Sequence, residues 1–158
     1  MISTNRGKLS LEGVAEKALN LNIEKIAFVS RWKGDPGKIQ FYRIDRTGLS
    51  RFSPSICIKN VKLRRAFKKD SPQKRINSLS IVAPQGHSSD IKRLANALSA
   101  FFDTPLLPFG RSYDEDFDAI LNLSSVDSML TLLAFKLIPE LIEVGPQIRI
   151  SRLIWNLN

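Results

Sequence analysis

Two apolar stretches of the chain share one irregular spacing at positions 92 residues apart. The first follows Pro54 and the second follows Pro146, and their apolar residues are Ile56, Ile58, Val61 and Leu63 against Ile148, Ile150, Leu153 and Trp155. Strict alternation would keep every apolar side chain on one face of a strand, but both stretches slip by one residue after the second isoleucine, as at a β-bulge. The spacing therefore predicts two bulged strands and one architecture that occurs twice.

Charge distinguishes the two halves of the chain. Up to Arg75 there are 18 Lys and Arg residues against 6 Asp and Glu, a net charge of +12, whereas from Ile76 onward the net charge is −3. The whole chain of 158 residues carries +9. This balance favours a polyanionic partner, of which nucleic acid is the first candidate and an anionic membrane surface the second.

Several classes of protein are excluded by composition and pattern. No apolar run approaches the roughly 20 residues that a membrane-spanning helix needs. The basic start is followed by a mixed helical pattern rather than an apolar signal block, so we expect a cytoplasmic protein. Cys57 is the only cysteine, which excludes an internal disulfide and a cysteine-based zinc site.

The remaining patterns predict an α/β (α+β) fold in a single domain, 1–158. One helix is expected after an N-cap at Ser10, and a second after Ser88 or Ser89, with a buried face of Ile91, Leu94, Ala95, Leu98 and Phe102. Strands are expected at 1–5, 26–29 (covered on both faces), 39–45, 54–63, 79–83, 119–123, 130–137 and 148–155, with a hairpin turn at 32–38 and a loop at 47–53. We predict two tandem pseudo-repeats of a mostly antiparallel sheet with helices packed on it, 1–69 and 76–158, joined by a basic connector at 59–75 that overlaps the end of the first.

Four short strings occur in a fixed order along the chain: Arg6-Gly7-Lys8, Trp32-Lys33-Gly34-Asp35-Pro36, Val61-Lys62-Leu63, and Gly145-Pro146 before a closing strand. In this order and spacing the chain resembles the Brix domain over nearly its whole length, as an archaeal-type, single-domain member. The resemblance implies a duplicated α/β fold similar to the anticodon-binding domains of class IIa aminoacyl-tRNA synthetases. It also implies binding of ribosomal RNA precursors in ribosome biogenesis.

The chain departs from the Brix pattern at its start. Members of that family usually begin with an extra strand and helix, introduced by an arginine-rich Thr-Ser segment, and Met1 lies only five residues before Arg6. We therefore expect a truncated first repeat. The departure puts in doubt any RNA contact that relatives make with those leading arginines.

The basic connector is the main candidate for RNA binding. It contains eight cations and one carboxylate, that of Asp70. The cations repel one another, and binding to an RNA backbone would remove this repulsion. The alternative is a solvated linker, which would also be basic in a positively charged protein. The RNA-binding residues predicted here and in the preceding hairpin are Lys33, Lys38, Arg43, Lys62, Arg64, Arg65, Lys68, Lys69, Lys74 and Arg75. Selectivity among bases is expected from exposed rings and amides such as Phe52, Phe67, Gln73 and Asn77.

No catalytic group can be assembled from the sequence. The string from Gly34 to Lys38 has two residues between its glycines and Ile39 after its lysine, unlike a phosphate-binding loop. His87 is the only histidine, so it has no second imidazole with which to form a catalytic or metal site. The acidic cluster at 114–118 is the one candidate for the magnesium site of a nuclease. We expect a non-catalytic factor, without metal or cofactor, that binds precursor ribosomal RNA and works with other ribosome-assembly proteins. The alternative is a protein adaptor that docks through its near-neutral second half.

Overall fold

The computed structural model describes residues 5, 7–32, 35–67, 75–83, 86, 89–108, 110, 116–127 and 130–156. The strand predicted at 1–5 lies almost entirely outside the described residues. So do Asp114 and Glu115 of the acidic cluster.

The described residues form two α-helices, eight strands and one 3₁₀ turn. In chain order these are α1 (Leu11–Asn20), β1 (Lys25–Trp32), β2 (Asp35–Asp45), β3 (Gly48–Lys62), the 3₁₀ turn (Arg64–Ala66), β4 (Leu79–Ala83), α2 (Ser89–Phe102), β5 (Leu106–Pro108), β6 (Ala119–Asp127), β7 (Leu130–Leu137) and β8 (Ile142–Ile154). No helix in these ranges has the length and apolar content needed to cross a bilayer.

All eight strands belong to one sheet, in the order β1-β2-β3-β8-β7-β6-β4-β5. Strand β4 runs parallel to both β5 and β6, and every other neighbouring pair is antiparallel. The α+β class and the mostly antiparallel sheet are therefore confirmed. The sheet is continuous, because β3 from the first half of the chain pairs with β8 from the second.

Both predicted bulges are present in the β3–β8 pair. Ile58 lies opposite Ile150, and on either side of this pair the register skips one residue, Lys59 in β3 and Ser151 in β8. An extra residue in each strand restores the alternation of the side chains that follow it. As a result Leu153, three residues after Ile150, packs on the same main hydrophobic core as Ile148 and Ile150.

Helix α2 occupies the centre of that core. Its buried residues are Ile91, Leu94, Ala95, Leu98 and Phe101, and they pack with core residues of β2, β3, β4, β6, β7 and β8. We call the side of the sheet that α2 covers the inner face and the opposite side the outer face. Burial of each large apolar side chain contributes about 1.5–3 kcal/mol, so this face supplies most of the stabilisation.

The prediction of the buried face of α2 is wrong at one residue. Phe102 is 47% exposed, whereas its neighbour Phe101 is 3% exposed. Positions three and four residues after Leu98 both suit a helix face. Phe101 is the one buried because Phe41 and Phe52 of the sheet lie beside it, with ring centroids 4.7 and 5.2 Å away.

Helix α1 and its predicted cap are confirmed. The Ser10 hydroxyl oxygen accepts a hydrogen bond from the Gly13 backbone N–H at 3.1 Å, which satisfies one of the free donors of the first turn. Ala15 and Ala18 pack on Ile44, which alternates with the inner-face residues of β2. Helix α1 therefore covers part of the outer face.

Two predictions about the first half are wrong. The strand at 26–29 belongs to β1, which lies at the edge of the sheet, and Val29 is 61% exposed rather than covered on both faces. The predicted loop at 47–53 is instead the start of β3, with Leu49 paired to Ile44.

A short turn explains why β3 begins so early. The Asp45 carboxylate accepts hydrogen bonds from the Thr47 hydroxyl and, at 2.8 Å, from the Thr47 backbone N–H. Both hydrogen bonds lower the pKa of Asp45, and the bond from the Thr47 hydroxyl has the larger effect. The turn closes within four residues and lets β3 pair from Gly48 onward.

Candidate nucleic-acid interface

The β3–β8 register brings polar residues from both halves of the chain to the outer face. Residues directly opposite each other in an antiparallel pair lie on the same face. Asn60 is opposite Arg149, and Lys62 is opposite Gln147. The residue between Arg149 and Gln147, Ile148, packs on the inner core, so these two polar pairs project to the outer face.

These polar pairs form one wall of a cleft of about 430 Å³. The other wall is the 3₁₀ turn, which contributes Arg65 and Ala66. The residues that line the cleft are Asn60, Val61, Lys62, Leu63, Arg65, Ala66, Gln147 and Arg149. We call this site the outer cleft. It combines three cations with two side-chain amides.

The 3₁₀ turn is held against β8 by a close contact between Phe67 and Gly145. A Cβ atom added to Gly145 would lie 2.6 Å from Cε2 of Phe67 and 3.1 Å from Cα of Arg64. Gly145 also has a φ of +68°, in the left-handed region that favours glycine. Glycine is therefore required here for two reasons, and the contact fixes the turn that carries Arg65.

Phe67 also positions a lysine of the cleft. The ammonium nitrogen of Lys62 lies over the Phe67 ring, 4.4 Å from its centroid. A cation over an aromatic face is stabilised by about 0.5–1 kcal/mol at an exposed site. The side chain of Lys62 is thereby held beside the turn.

The outer cleft is positively charged: Lys62, Arg65 and Arg149 line it, and the Glu143 carboxylate beside it is hydrogen-bonded to the Gln147 amide. The ion pair that is present among the described residues joins Lys25 to Asp103 and lies outside the cleft. Three cations in one cleft repel one another, and a polyanion that neutralised them would remove this repulsion. The arrangement is suited to binding phosphate groups.

The structure brings some of the predicted RNA-binding residues together. Lys62 and Arg65 line the outer cleft, and Arg64 lies beside them on the exposed turn. Lys38 lies opposite Cys57 in β3 and projects to the outer face, because its neighbour Ile39 packs on the inner core.

Other predicted residues lie elsewhere. The guanidinium of Arg43 stacks on Phe52, 4.6 Å from the ring centroid, on the inner face. Arg75 is exposed before β4. Lys33, Lys68, Lys69 and Lys74 lie outside the described residues, so their roles, like the RNA contacts of the others, stay predictions.

The sequence did not point to three polar residues of the outer cleft: Asn60, Gln147 and Arg149. The prediction assigned RNA binding to the basic first half, whereas Gln147 and Arg149 come from the second. A signal was present, because pairing the two bulged strands antiparallel places Arg149 opposite Asn60.

The residues that we expected to select among bases differ in their exposure. Phe52 is not an exposed ring, because it packs against Phe101 in the core. Phe67 is half-buried beneath Lys62. Asn77 is exposed, and Gln73 lies outside the described residues.

The described end of the acidic cluster has a structural contact. The Asp118 carboxylate accepts hydrogen bonds from the backbone N–H groups of Asn77 at 2.9 Å and Ser78 at 3.1 Å, which ties the start of β4 to β6. Asp114, Glu115 and His87 lie outside the described ranges. Within those ranges no three His, Cys, Asp or Glu residues come together as a metal site.

Comparisons with known proteins identify the fold. No protein-family model matches the chain, and no curated protein sequence matches it significantly. The crystal structure of a probable ribosomal biogenesis protein from Aeropyrum pernix K1 is similar, with a TM-score of 0.75 and 23% identity over 96% of this chain and 80% of that one. The structure of Mil, an archaeal Imp4-like protein, gives a TM-score of 0.61 and 16% identity over 97% of this chain and 81% of that one. At these identities the likeness shows a shared fold.

Proposed function

We propose that this protein is a non-catalytic, RNA-binding factor of ribosome biogenesis that holds precursor ribosomal RNA on its outer face. The observation that carries the proposal is the outer cleft, which is lined by Lys62, Arg65 and Arg149. The fold shared with a probable ribosomal biogenesis protein supports it, as does the resemblance to the Brix domain.

In this proposal the cations bind the RNA backbone. Phosphate contacts fix the position of an RNA strand but carry no sequence information themselves. The protein binds and presents RNA without cutting it, and neither a metal nor a cofactor takes part.

Salt-dependent RNA binding tests the proposal. If five or six phosphates are neutralised, the affinity for single-stranded RNA should fall with a log–log salt slope of roughly −3.5 to −4. The measurement is fluorescence anisotropy with a labelled ribosomal RNA fragment over a range of salt concentrations. A slope near zero would overturn the proposal.

A pair of charge-matched variants locates the site. Arg65→Ala/Arg149→Ala removes two cleft cations and should weaken binding at low salt about tenfold or more, with a slope less negative by about 1.4. Lys17→Ala/Lys92→Ala removes the same charge from exposed positions on α1 and α2. Equal losses in the two double variants would show that net charge, rather than the cleft, binds RNA.

We also propose that the chain is a tandem duplication, as the repeated spacing predicts. The β3–β8 register supports this, because a shift of 92 positions converts the pair Asn60–Arg149 into Arg152–Cys57, which is also a pair. The same shift converts Ile58–Ile150 into itself. A two-fold axis that passes through the Ile58–Ile150 pair and relates the two halves would produce this register. The similarity to class IIa anticodon-binding domains is part of the same proposal.

The adaptor alternative has one favourable observation. A second cleft of about 280 Å³ is lined by residues of the second half, among them Asp90, Asp127 and Trp155. The Trp155 indole N–H is buried and makes no hydrogen bond in the described part of the chain. Affinity purification with and without RNase separates the two functions: protein partners that persist without RNA favour the adaptor, and co-purified precursor RNA favours the RNA-binding factor.

A further inference from the structure

The amide of Gln147 has a fixed orientation in the outer cleft. Its Nε2 donates a hydrogen bond to Oε1 of Glu143 at 2.7 Å. An ionised carboxylate only accepts hydrogen bonds, so the nitrogen of the amide must face Glu143. The carbonyl oxygen of Gln147 is therefore left as the acceptor available to a ligand.

Asn60 supplies a second amide to the same cleft. It is exposed, and its side chain makes no hydrogen bond in the described part of the chain. The cleft has a volume of about 430 Å³ and is open to solvent, with a mostly polar lining. Leu63 and Ala66 add apolar surface on which a planar ring could lie.

We infer that the outer cleft binds one unpaired nucleotide of RNA whose base carries an exocyclic amino group, and that Gln147 and Asn60 determine this specificity. The inference rests on the proposed function. Base pairing occupies the Watson–Crick edge and the narrow major groove of an RNA duplex excludes side chains, so the two amides can read a base only in a single strand. The neighbouring cations hold the phosphate.

The orientation of Gln147 selects among the bases. Adenine, cytosine and guanine each present an exocyclic amino group that can donate to the Gln147 carbonyl oxygen. Uracil instead presents carbonyl oxygens on either side of its one ring N–H, and these would face another acceptor. The cleft should therefore bind adenosine or cytidine more tightly than uridine.

Binding of labelled oligo(A), oligo(C) and oligo(U) of equal length, at one salt concentration, tests the inference. The wild-type protein should bind oligo(A) or oligo(C) about tenfold more tightly than oligo(U). Gln147→Leu should bring the ratio close to one while the salt slope stays unchanged, because the cations remain. Asn96→Ala removes an exposed amide of α2, whose Nδ2 donates to the Lys92 carbonyl, and should leave the ratio intact.

Glu143→Gln provides a second variant that keeps the shape of the side chain. A glutamine at this position can donate as well as accept, so the amide of Gln147 is free to turn. The preference over oligo(U) should fall even though loss of a negative charge raises the affinity for all three RNAs. A merely structural Glu143 would change the three affinities equally.

The outcomes separate this inference from the proposed function. Salt-dependent binding of all three RNAs with equal affinity, or a preference that survives both Gln147→Leu and Glu143→Gln, overturns the base specificity and leaves RNA binding standing. Absence of salt-dependent binding to any RNA overturns both.

Discussion

The ring of Phe67 covers Gly145 so closely that a Cβ atom at position 145 would lie 2.6 Å from Cε2 of Phe67. We expect Gly145→Ala to destabilise the protein by about 2–5 kcal/mol, from about 1–2 kcal/mol for a left-handed alanine and about 1–3 kcal/mol for overpacking. Urea denaturation measures the change in the free energy of unfolding.

A double-mutant cycle isolates the contact from the backbone effect. In a Phe67→Ala background the same Gly145→Ala change should cost only the conformational part, because the ring is gone. Equal costs in both backgrounds would show that the contact is unimportant.

The paired bulges make a second prediction. Deleting Lys59 would remove the extra residue of β3 and leave Asn60 opposite Arg149 and Lys62 opposite Gln147, on the outer face, whereas Lys59→Ala keeps the bulge. Because the faces of the later residues stay the same, we expect the deletion to cost only about 1–2 kcal/mol, through the changed bend and twist of the strand, and the alanine variant less than about 0.5 kcal/mol. Deletion of Ser151 should match deletion of Lys59 if the duplication is real, and thermal unfolding compares the three variants.

Two adjacent phenylalanines at the end of α2 should respond differently to truncation. Phe101 is buried among Phe41 and Phe52, so Phe101→Ala should cost about 3–5 kcal/mol. Phe102 is half exposed and makes T-shaped contacts with the rings of Phe41 and Phe101, so Phe102→Ala should cost about 1 kcal/mol. A reversed order, measured by chemical denaturation, would contradict the packing described for α2.

The turn between β2 and β3 should give stability a dependence on pH. Because hydrogen bonds from Thr47 lower the pKa of Asp45 from its usual 3.8, the carboxylate contributes fully above that value. The contribution is lost as the pH falls through the lowered pKa of the folded state. The melting temperature of wild type should exceed that of Asp45→Asn at neutral pH, and the gap should close in strong acid; a gap independent of pH would contradict this role.

Periodicity predicted much of the sheet. The slip after Ile58 and after Ile150 indicated both bulges, because the apolar residues of one strand must reach one core whatever the partner strand is. Helix α1 was predicted from its Ser10 cap for a similarly local reason.

What the sequence did not reveal depends on partners that are distant in the chain. Val29 has the same apolar neighbours whether its strand is central or at an edge, so its exposure could not be predicted. The outer cleft was only half predicted, because Arg149 joins Lys62 through a strand pairing that charge counts do not report.

The seam between β3 and β8 also links ligand binding to folding. The outer cleft takes its cations from both sides of this seam, with Lys62 on one strand and Arg149 on the other. An RNA strand bound across the seam would contact both halves and stabilise their association. A ligand that binds only the native state raises the free energy of unfolding in proportion to the logarithm of the ligand concentration. Neither half of the polypeptide could form this surface by itself. Binding of RNA in the outer cleft would therefore require that strands β3 and β8 have already paired.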